Sequence, residues 1–430
     1  MTMQDELSVT ARRPRVVIIG AGFAGLSATR ALANSPVDLT LIDRSNHHLF
    51  QPLLYQVATA ALSPAQIAQP VRAIVKNQQN CTVALGEVTG IDIDKKLVHG
   101  HHANIGWDYL VIATGATHTW FNHAEWAPYA PGLKSIDDAL TIRREILNAF
   151  EQAEMTQDLE ERKALLTFIL IGGGPTGVEM AGAIAELARH TLAGEFRHIN
   201  PAEATVILVE AGPRILPTFP ETLSARAQRD LEHIGVKVLT GRKVNDCSLS
   251  GAMIGTELIP CRTILWCAGV KATPAAEWLN AKHDNAGRVL VRPDLSIPDH
   301  PDIFVIGDVA RIVDANGITV PGLCPAANQQ GKYVARLIDH KVRRLPPPSA
   351  FTYADYGTMA TIGRGKAVAE IRGLRFSGLF AWVLWGAIHL MPLVGFRNRL
   401  VVALDWFWSY LTRSRGVRLI TAEQRSDTDL

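Results

Sequence analysis

The chain has 430 residues, 43 of them basic and 41 acidic, for a net charge of +2. That length accommodates two or three domains with separate cores, and the even balance excludes a global field for nucleic acid. Five cysteines, Cys81, Cys247, Cys261, Cys267 and Cys324, show no CxxC and no paired spacing. This argues against a disulfide framework, a structural zinc or a dithiol centre, and no metal site is expected. Residues 1–15 contain Asp5 and Glu6 and no apolar run, so no signal peptide is expected and the N-terminus reads as cytoplasmic.

Residues 16–25, VVIIGAGFAG, read as a buried strand, a glycine turn and the start of a helix. Gly20 suits the tight turn, Gly22 a close approach of backbone to a pyrophosphate, and Gly25 close packing of helix on strand. Asp43 ends the next apolar run, LTLID, 18 residues after Gly25, where a carboxylate takes a ribose hydroxyl pair. The segment 44–64 then contains His47 and His48, which read as polar side chains of a turn rather than as catalytic groups. Residues 81–100 alternate like a small antiparallel hairpin. Residues 107–116, WDYLVIATGA, form a buried strand ending at Ala113, Thr114 and Gly115, followed by a crossing loop over 120–132 and a charged helix over 136–162.

The opening pattern repeats at 167–177, TFILIGGGPTG, with Gly172, Gly174 and Gly177 in the same frame. A second unit of this type implies a second nucleotide. Its acid is Glu210, at the end of TVILVE and 33 residues beyond Gly177, the excess taken up by an insertion after the helix. A carboxylate there favours a free 2′-hydroxyl over a 2′-phosphate, and nearby Arg214 reads as an ordinary solvated side chain. Glu179, early in the second helix, reads either as a carboxylate facing the reacting rings or as an acid stabilised by the helix dipole. Residues 263–270, TILWCAGV, give another buried strand, ending in the turn Ala268-Gly269, with Cys267 as a small core residue.

Residues 303–310, IFVIGDVA, place Gly307 and Asp308 at the ligand end of a strand, and 325–340 reads as a helix with Gln329 and Gln330 in its opening turn. After a Pro346–Pro348 linker, strands of a smaller domain are expected near 351–363. Residues 362–418 carry nine Lys or Arg against Glu370 and Asp405, with Phe376, Phe380, Trp382, Trp385 and Phe396 interleaved. A transmembrane helix needs about 20 apolar residues, and Gly386, Pro392 and Gly395 interrupt the first stretch. Helices lying in the membrane surface are favoured over a span, and dimer packing is compatible with them.

Together these features resemble the type II NADH:quinone oxidoreductases, the single-subunit, non-pumping respiratory NADH dehydrogenases of the two-dinucleotide-domain flavoprotein group. The resemblance covers most of the chain and is carried by HLFQPLLYQVAT (48–59), GGGPTGVEMAG (172–182), LVEAGPRILP (208–217), WCAGV (266–270) and the tail. It implies an α/β fold of two Rossmann-like dinucleotide-binding domains, for FAD and NADH, plus a C-terminal membrane-associating region. The segments would be 1–135 and 286–345 for FAD, an inserted 136–285 for NADH, and 346–430 for the C-terminal region. The implied FAD positions are Gly20, Gly22, Phe23, Ala24, Gly25, Asp43, Arg44, Pro52, Leu53, Val88, Ala113, Thr114, Gly115, Gly307, Asp308 and Gln329. Those for NADH are Gly172, Gly174, Pro175, Thr176, Gly177, Glu179, Glu210, Ala268 and Gly269.

The implied activity is transfer of two electrons from NADH through FAD to a membrane quinone, feeding a respiratory chain. Glu179 and Gln329 are its candidate catalytic residues. Gln329 matches the second glutamine of the family's AQxAxQ segment, while Pro325 replaces the first. The expected partners are the quinone, a lipid surface and a second copy of the chain, with no nucleic acid. The expected location is the cytoplasmic face of the inner membrane. Alternatives are a sulfide:quinone reductase-like enzyme using dispersed cysteines, a reductase of a small redox protein, and an NADH-sensing membrane module.

Overall fold

A computed structural model describes residues 12–101 and 104–421. The reading of the N-terminus without a signal peptide falls largely on residues outside that range, as does the end of the C-terminal segment beyond Thr421. Contacts gather the chain into two units. The first takes the chain as far as His48, then Pro70–Thr117 and Lys271–Ala354; the second takes Leu49–Gln69, His118–Val270 and the chain from Asp355 on. Thus residues 49–69 and the C-terminal segment both gather with the second glycine turn.

In the first unit, Arg15–Ile19 is central in a six-stranded sheet because its β-branched side chains must be covered on both faces. Asp38–Asp43 and Tyr109–Ile112 flank it in parallel, with Val17 opposite Thr40 on one side and Leu110 on the other. His300–Val305 continues the sheet in parallel beside Tyr109–Ile112, and Ser296–Ile297 closes that edge antiparallel. Cys81–Leu85 forms the other edge, parallel to Asp38–Asp43. The hairpin expected over 81–100 is therefore corrected. Its first part joins the main sheet, and the antiparallel piece is a three-stranded sheet of Val88–Asp92, Leu97–Gly100 and Asn104–Gly106. Val16, Ile18, Leu41, Leu110, Phe304 and Val334 are buried in one continuous core.

The second unit repeats the plan with four parallel strands, Val236–Thr240, Thr205–Glu210, Thr167–Ile171 and Thr263–Trp266, in that order. The charged stretch over 136–162 becomes two helices, Ile136–Met155 and Leu159–Leu165, because Ser135 and Asp158 each cap a new N-terminus with their side chains. Thr358–Gly363, Lys366–Ile371 and Leu374–Ser377 form an antiparallel sheet. Two helices follow, Gly378–Leu390 and Phe396–Thr412. Among the described residues, no helix is long and apolar enough to cross a membrane.

Helices Phe23–Ala31 and Cys324–Val342 of the first unit pack backbone against backbone. A Cβ on Gly331 would lie 2.2 Å from the Ala24 carbonyl oxygen. Gly331→Ala improves helix propensity by under about 1 kcal/mol, while separating two packed helices costs about 1–3 kcal/mol. The variant is expected to unfold a few degrees below the parent protein in a thermal melt.

Candidate active site

The first glycine turn is built from contacts that only hydrogen at Cα permits. Gly20 has φ 103°, and a Cβ on Gly25 would stand 1.8 Å from the Gly20 oxygen. Gly22 is the N-cap of helix Phe23–Ala31, which takes no side-chain cap, and nothing stands within 4 Å of where its Cβ would point. That open cradle at a helix N-terminus fits a pyrophosphate, whose charge the helix dipole favours. Asp43 accepts from the Ala21 amide at 2.5 Å and from the Ser45 amide at 2.7 Å, which fixes its carboxylate beside the turn.

His48 departs from expectation. His47 is half-buried, but His48 is fully buried, with Nδ1 2.8 Å from the Ala21 oxygen and its ring edge-on to Phe23. Burial holds its pKa below 6.5, so the neutral ring donates to the turn rather than carrying charge. Alternation of turn residues gave no hint of this, since the contact is made across the glycine turn.

The second turn has the same construction. Gly172 has φ 111°, a Cβ on Gly177 would meet the Gly172 oxygen at 1.9 Å, and nothing stands within 4 Å of the Cβ direction of Gly174. Helix Pro175–Glu186 starts there, with Pro175 and Thr176 in its first turn and no side-chain cap. Glu210 accepts from Gly173 at 2.6 Å and Gly212 at 2.7 Å, taking the posture of Asp43 despite its longer spacing. Arg214 is turned to the backbone, donating to the Pro217 and Phe219 oxygens at 2.8 Å. Beside Ala268, the ring of Phe121 lies against Gly269, held there by a left-handed backbone at φ 50°.

Around the first turn, Thr114 shares a 2.6 Å hydrogen bond with Thr273, and the Gly307 amide donates to buried Gln330 at 2.6 Å. Gln329 is held by a reciprocal pair with the Ala354 backbone, both at 2.9 Å. Gly20, Gly22, Phe23, Ala24, Gly25, Asp43, Arg44, Val88, Ala113, Thr114, Gly115, Gly307, Asp308 and Gln329 all belong to the first unit, with Arg44 exposed. Pro52 and Leu53 belong to the second, as do the residues read for NADH.

The second unit also carries a half-open cavity of about 510 Å³, and Glu179 lines it. Tyr55, Gln56 and Thr59 contribute from the 48–59 segment, and Trp382, Trp385, Trp406 and Tyr410 from the tail helices. A π-turn at Leu187–Thr191 prolongs helix Pro175–Glu186 and brings His190 and Thr191 to the wall. Burial raises the Glu179 pKa to about 8, against the opposing pull of the Thr361 amide, 3.4 Å away, and the Trp385 indole. Its carboxyl is therefore protonated at neutral pH. Arg415 is buried too, donating to the Thr59 oxygen at 2.7 Å and the Ala183 oxygen at 3.1 Å, with Glu186 at 3.8 Å. The sequence does not single out Tyr55, Gln56 or Arg415 as lining a cavity; only the quoted 48–59 segment contains two of them.

Paired glycine turns with an acid at each following strand define a two-dinucleotide flavoprotein. The pyridine nucleotide-disulphide oxidoreductase family matches residues 14–331, and the NDH2 C-terminal domain family matches 356–415. A type II NADH:quinone oxidoreductase of Mycobacterium tuberculosis is 44% identical, covering 98% of this chain and 93% of its own. An internal alternative NAD(P)H-ubiquinone oxidoreductase of Arabidopsis thaliana is 28% identical over 93% of this chain and 84% of its own. Among solved structures, NDH2 of Plasmodium falciparum in complex with NADH superposes with a TM-score of 0.86 at 20% identity, covering 96% of this chain and all of that one. A sulfide:quinone oxidoreductase of Aquifex aeolicus gives 0.72 at 18% identity, over 90% and 92% of the two chains.

The chain belongs to the type II NADH:quinone oxidoreductases. It is an FAD-dependent enzyme that takes electrons from NADH and delivers them to a quinone.

The cysteines separate it chemically from dithiol enzymes. All five are unpaired, and burial raises Cys81 to about 11 and Cys247, Cys261, Cys267 and Cys324 to about 12. None is a thiolate at neutral pH, the form that attacks sulfur or flavin. Replacing each in turn by Ser is expected to leave NADH:quinone activity within about twofold of the parent once flavin content is matched; loss of turnover at one position would assign that thiol a redox role.

Proposed function

We propose that the first unit holds FAD on the turn 20–25 and Asp43, and the second holds NADH on 172–177 and Glu210. The observation that carries the reading is the cavity joining Glu179 to the aromatic residues of the tail helices, which we assign to the quinone. Bound FAD supplies the two-electron chemistry. The residues of the chain do the rest. The two helix N-termini hold pyrophosphates, Asp43 and Glu210 take ribose hydroxyls, and the tryptophans offer flat apolar walls to a ring. Glu179 is a proton-holding group beside that ring. Gln329, tied to Ala354, acts on the flavin side next to Gln330, which receives the Gly307 amide.

Anaerobic single-turnover spectroscopy tests both half-reactions in detergent. NADH is expected to bleach the flavin and a short-chain quinone to restore it. Ala387→Trp, which narrows the cavity from an exposed lining position, is expected to slow only the restoration. Equal rates in parent and variant would place the quinone elsewhere.

Glu179 gives a pH signature. Its proton is present below about 8 and lost above it, so quinone turnover should fall as pH rises through that value. Glu179→Gln is expected to lower turnover and to remove this alkaline limb. An unchanged profile would take Glu179 out of the reaction.

The tail is proposed to seat on the cytoplasmic leaflet. Phe380, Met391, Phe396, Phe407 and Trp408 are each at least 62% exposed, and Arg397, Arg399 and Arg413 lie along the same helices or at their ends. Such aromatic and basic mixtures suit an anionic lipid interface, and the same face would also accommodate a second copy. The parent protein is expected to float with vesicles of phosphatidylglycerol and phosphatidylcholine. The exposed double variant Phe407→Ser/Trp408→Ser should remain largely in the dense fraction; equal flotation would remove these side chains from the docking surface.

A further inference from the structure

One wall of the cavity holds a chain of hydrogen bonds whose direction is set at its far end. The Trp406 indole N–H donates to Gln56 Oε1 at 2.8 Å. An indole nitrogen only donates, so the Gln56 amide must present its oxygen to Trp406 and its nitrogen to the other side. That nitrogen donates to the Tyr55 hydroxyl oxygen at 2.9 Å. The hydroxyl is thereby an acceptor toward Gln56 and must direct its own proton elsewhere. Among the described residues, no hydrogen bond takes that proton.

Tyr55 is 6% exposed and lines the cavity, so what occupies the cavity decides what its hydroxyl can bond. Burying a hydroxyl without an acceptor costs about 1–3 kcal/mol, which a ligand with a matching oxygen recovers. The ionisable groups acting on it are Glu179, Glu186 and Arg415, and all three line the same cavity. Burial, followed by the Glu179 and Glu186 carboxyls, pushes the phenol well above 10, so it stays protonated across the working range of pH. A flat acceptor between indole walls, carrying an oxygen at its rim, matches what the site presents.

We propose that Tyr55 is a catalytic hydrogen-bond donor to the quinone: its hydroxyl holds one carbonyl oxygen and stabilises the negative charge gathering there as the ring is reduced, while Gln56 and Trp406 fix its direction. The inference rests on the assignment of the quinone to this cavity. Its energetic logic is that of an oxyanion donor, in place before charge develops and therefore without reorganisation when it does. Gln56 and Trp406 act through Tyr55 and are positioning residues. They also tie the 48–59 segment to helix Phe396–Thr412, so correct docking of the tail aims the donor.

The test uses the FAD-loaded full chain in detergent, with matched flavin content, a short-chain quinone, and ferricyanide as an acceptor that does not need a carbonyl donor. Tyr55→Phe keeps the ring and removes only the hydroxyl. It is expected to lower kcat/KM for quinone about 10²-fold and to leave NADH:ferricyanide activity unchanged. Trp406→Phe, which frees the Gln56 amide to turn over, should give a smaller loss in the same assay and none with ferricyanide. Unchanged quinone kinetics in Tyr55→Phe, alongside slowed quinone kinetics in Ala387→Trp, would overturn the donor role and leave the cavity assignment standing. If both variants match the parent, the cavity assignment falls and the donor role with it. An equal loss with quinone and ferricyanide would also overturn the proposal, since it would place the defect before the quinone.

Discussion

The structure depends on bringing backbone to within a distance that no side chain allows, and doing so twice. Gly25 meets the Gly20 oxygen and Gly177 meets the Gly172 oxygen where a Cβ would overlap, at 1.8 and 1.9 Å. Each approach drives a helix N-terminus against the end of a central parallel strand, which is where an anion gains most from unpaired amides and the helix dipole. The large cores beneath, with Val16, Ile18, Leu41 and Leu110 in one unit and Phe168, Ile169 and Leu208 in the other, hold the strands rigid. The turns can then be positioned more tightly than a loop alone would be.

The acids show the same constraint at work. Asp43 lies 18 residues after its turn and Glu210 lies 33 after its own, yet each accepts the amide that follows the first glycine, from Ala21 and Gly173 respectively. Sequence spacing is free to drift because the insertion leaves through the π-turn and the loop beyond it. The strand register is not free, since Ile171 pairs with Val209 as Ile19 pairs with Ile42. What places each carboxylate beside its glycine turn is the end of the paired strand.

This explains which parts of the molecule could be read from the chain. Strand, turn, helix and acid are local, and their residue types record backbone geometry directly. The edge strand Cys81–Leu85 was misread because it is covered by one neighbour only and its burial pattern is mixed, so its alternation resembles that of a hairpin. His48 was read as a turn residue because nothing in a doublet of histidines reveals that one ring reaches the Ala21 oxygen. The cavity is the extreme case. Gln56 and Trp406 are 350 residues apart, and their pairing follows from the packing of the tail helices, which local pattern does not encode.

The cavity also shows two ways in which ionisable groups are accommodated away from solvent. Glu179 avoids the cost of a buried charge by keeping its proton, whereas Arg415 cannot discharge in this way. Its guanidinium is instead held by two carbonyl oxygens and the more distant Glu186 carboxylate. One of those carbonyls, that of Ala183, lies near the end of the regular part of helix Pro175–Glu186, just before the π-turn that prolongs it. The same helix therefore starts at Gly174 and meets Arg415 through the Ala183 oxygen nearer its other end. A single element thus carries the second glycine turn at one terminus and anchors the segment that follows the tail helices near the other. The shape of the cavity depends on that helix, because Glu179, Ala183 and Glu186 are all carried on it and all line the wall.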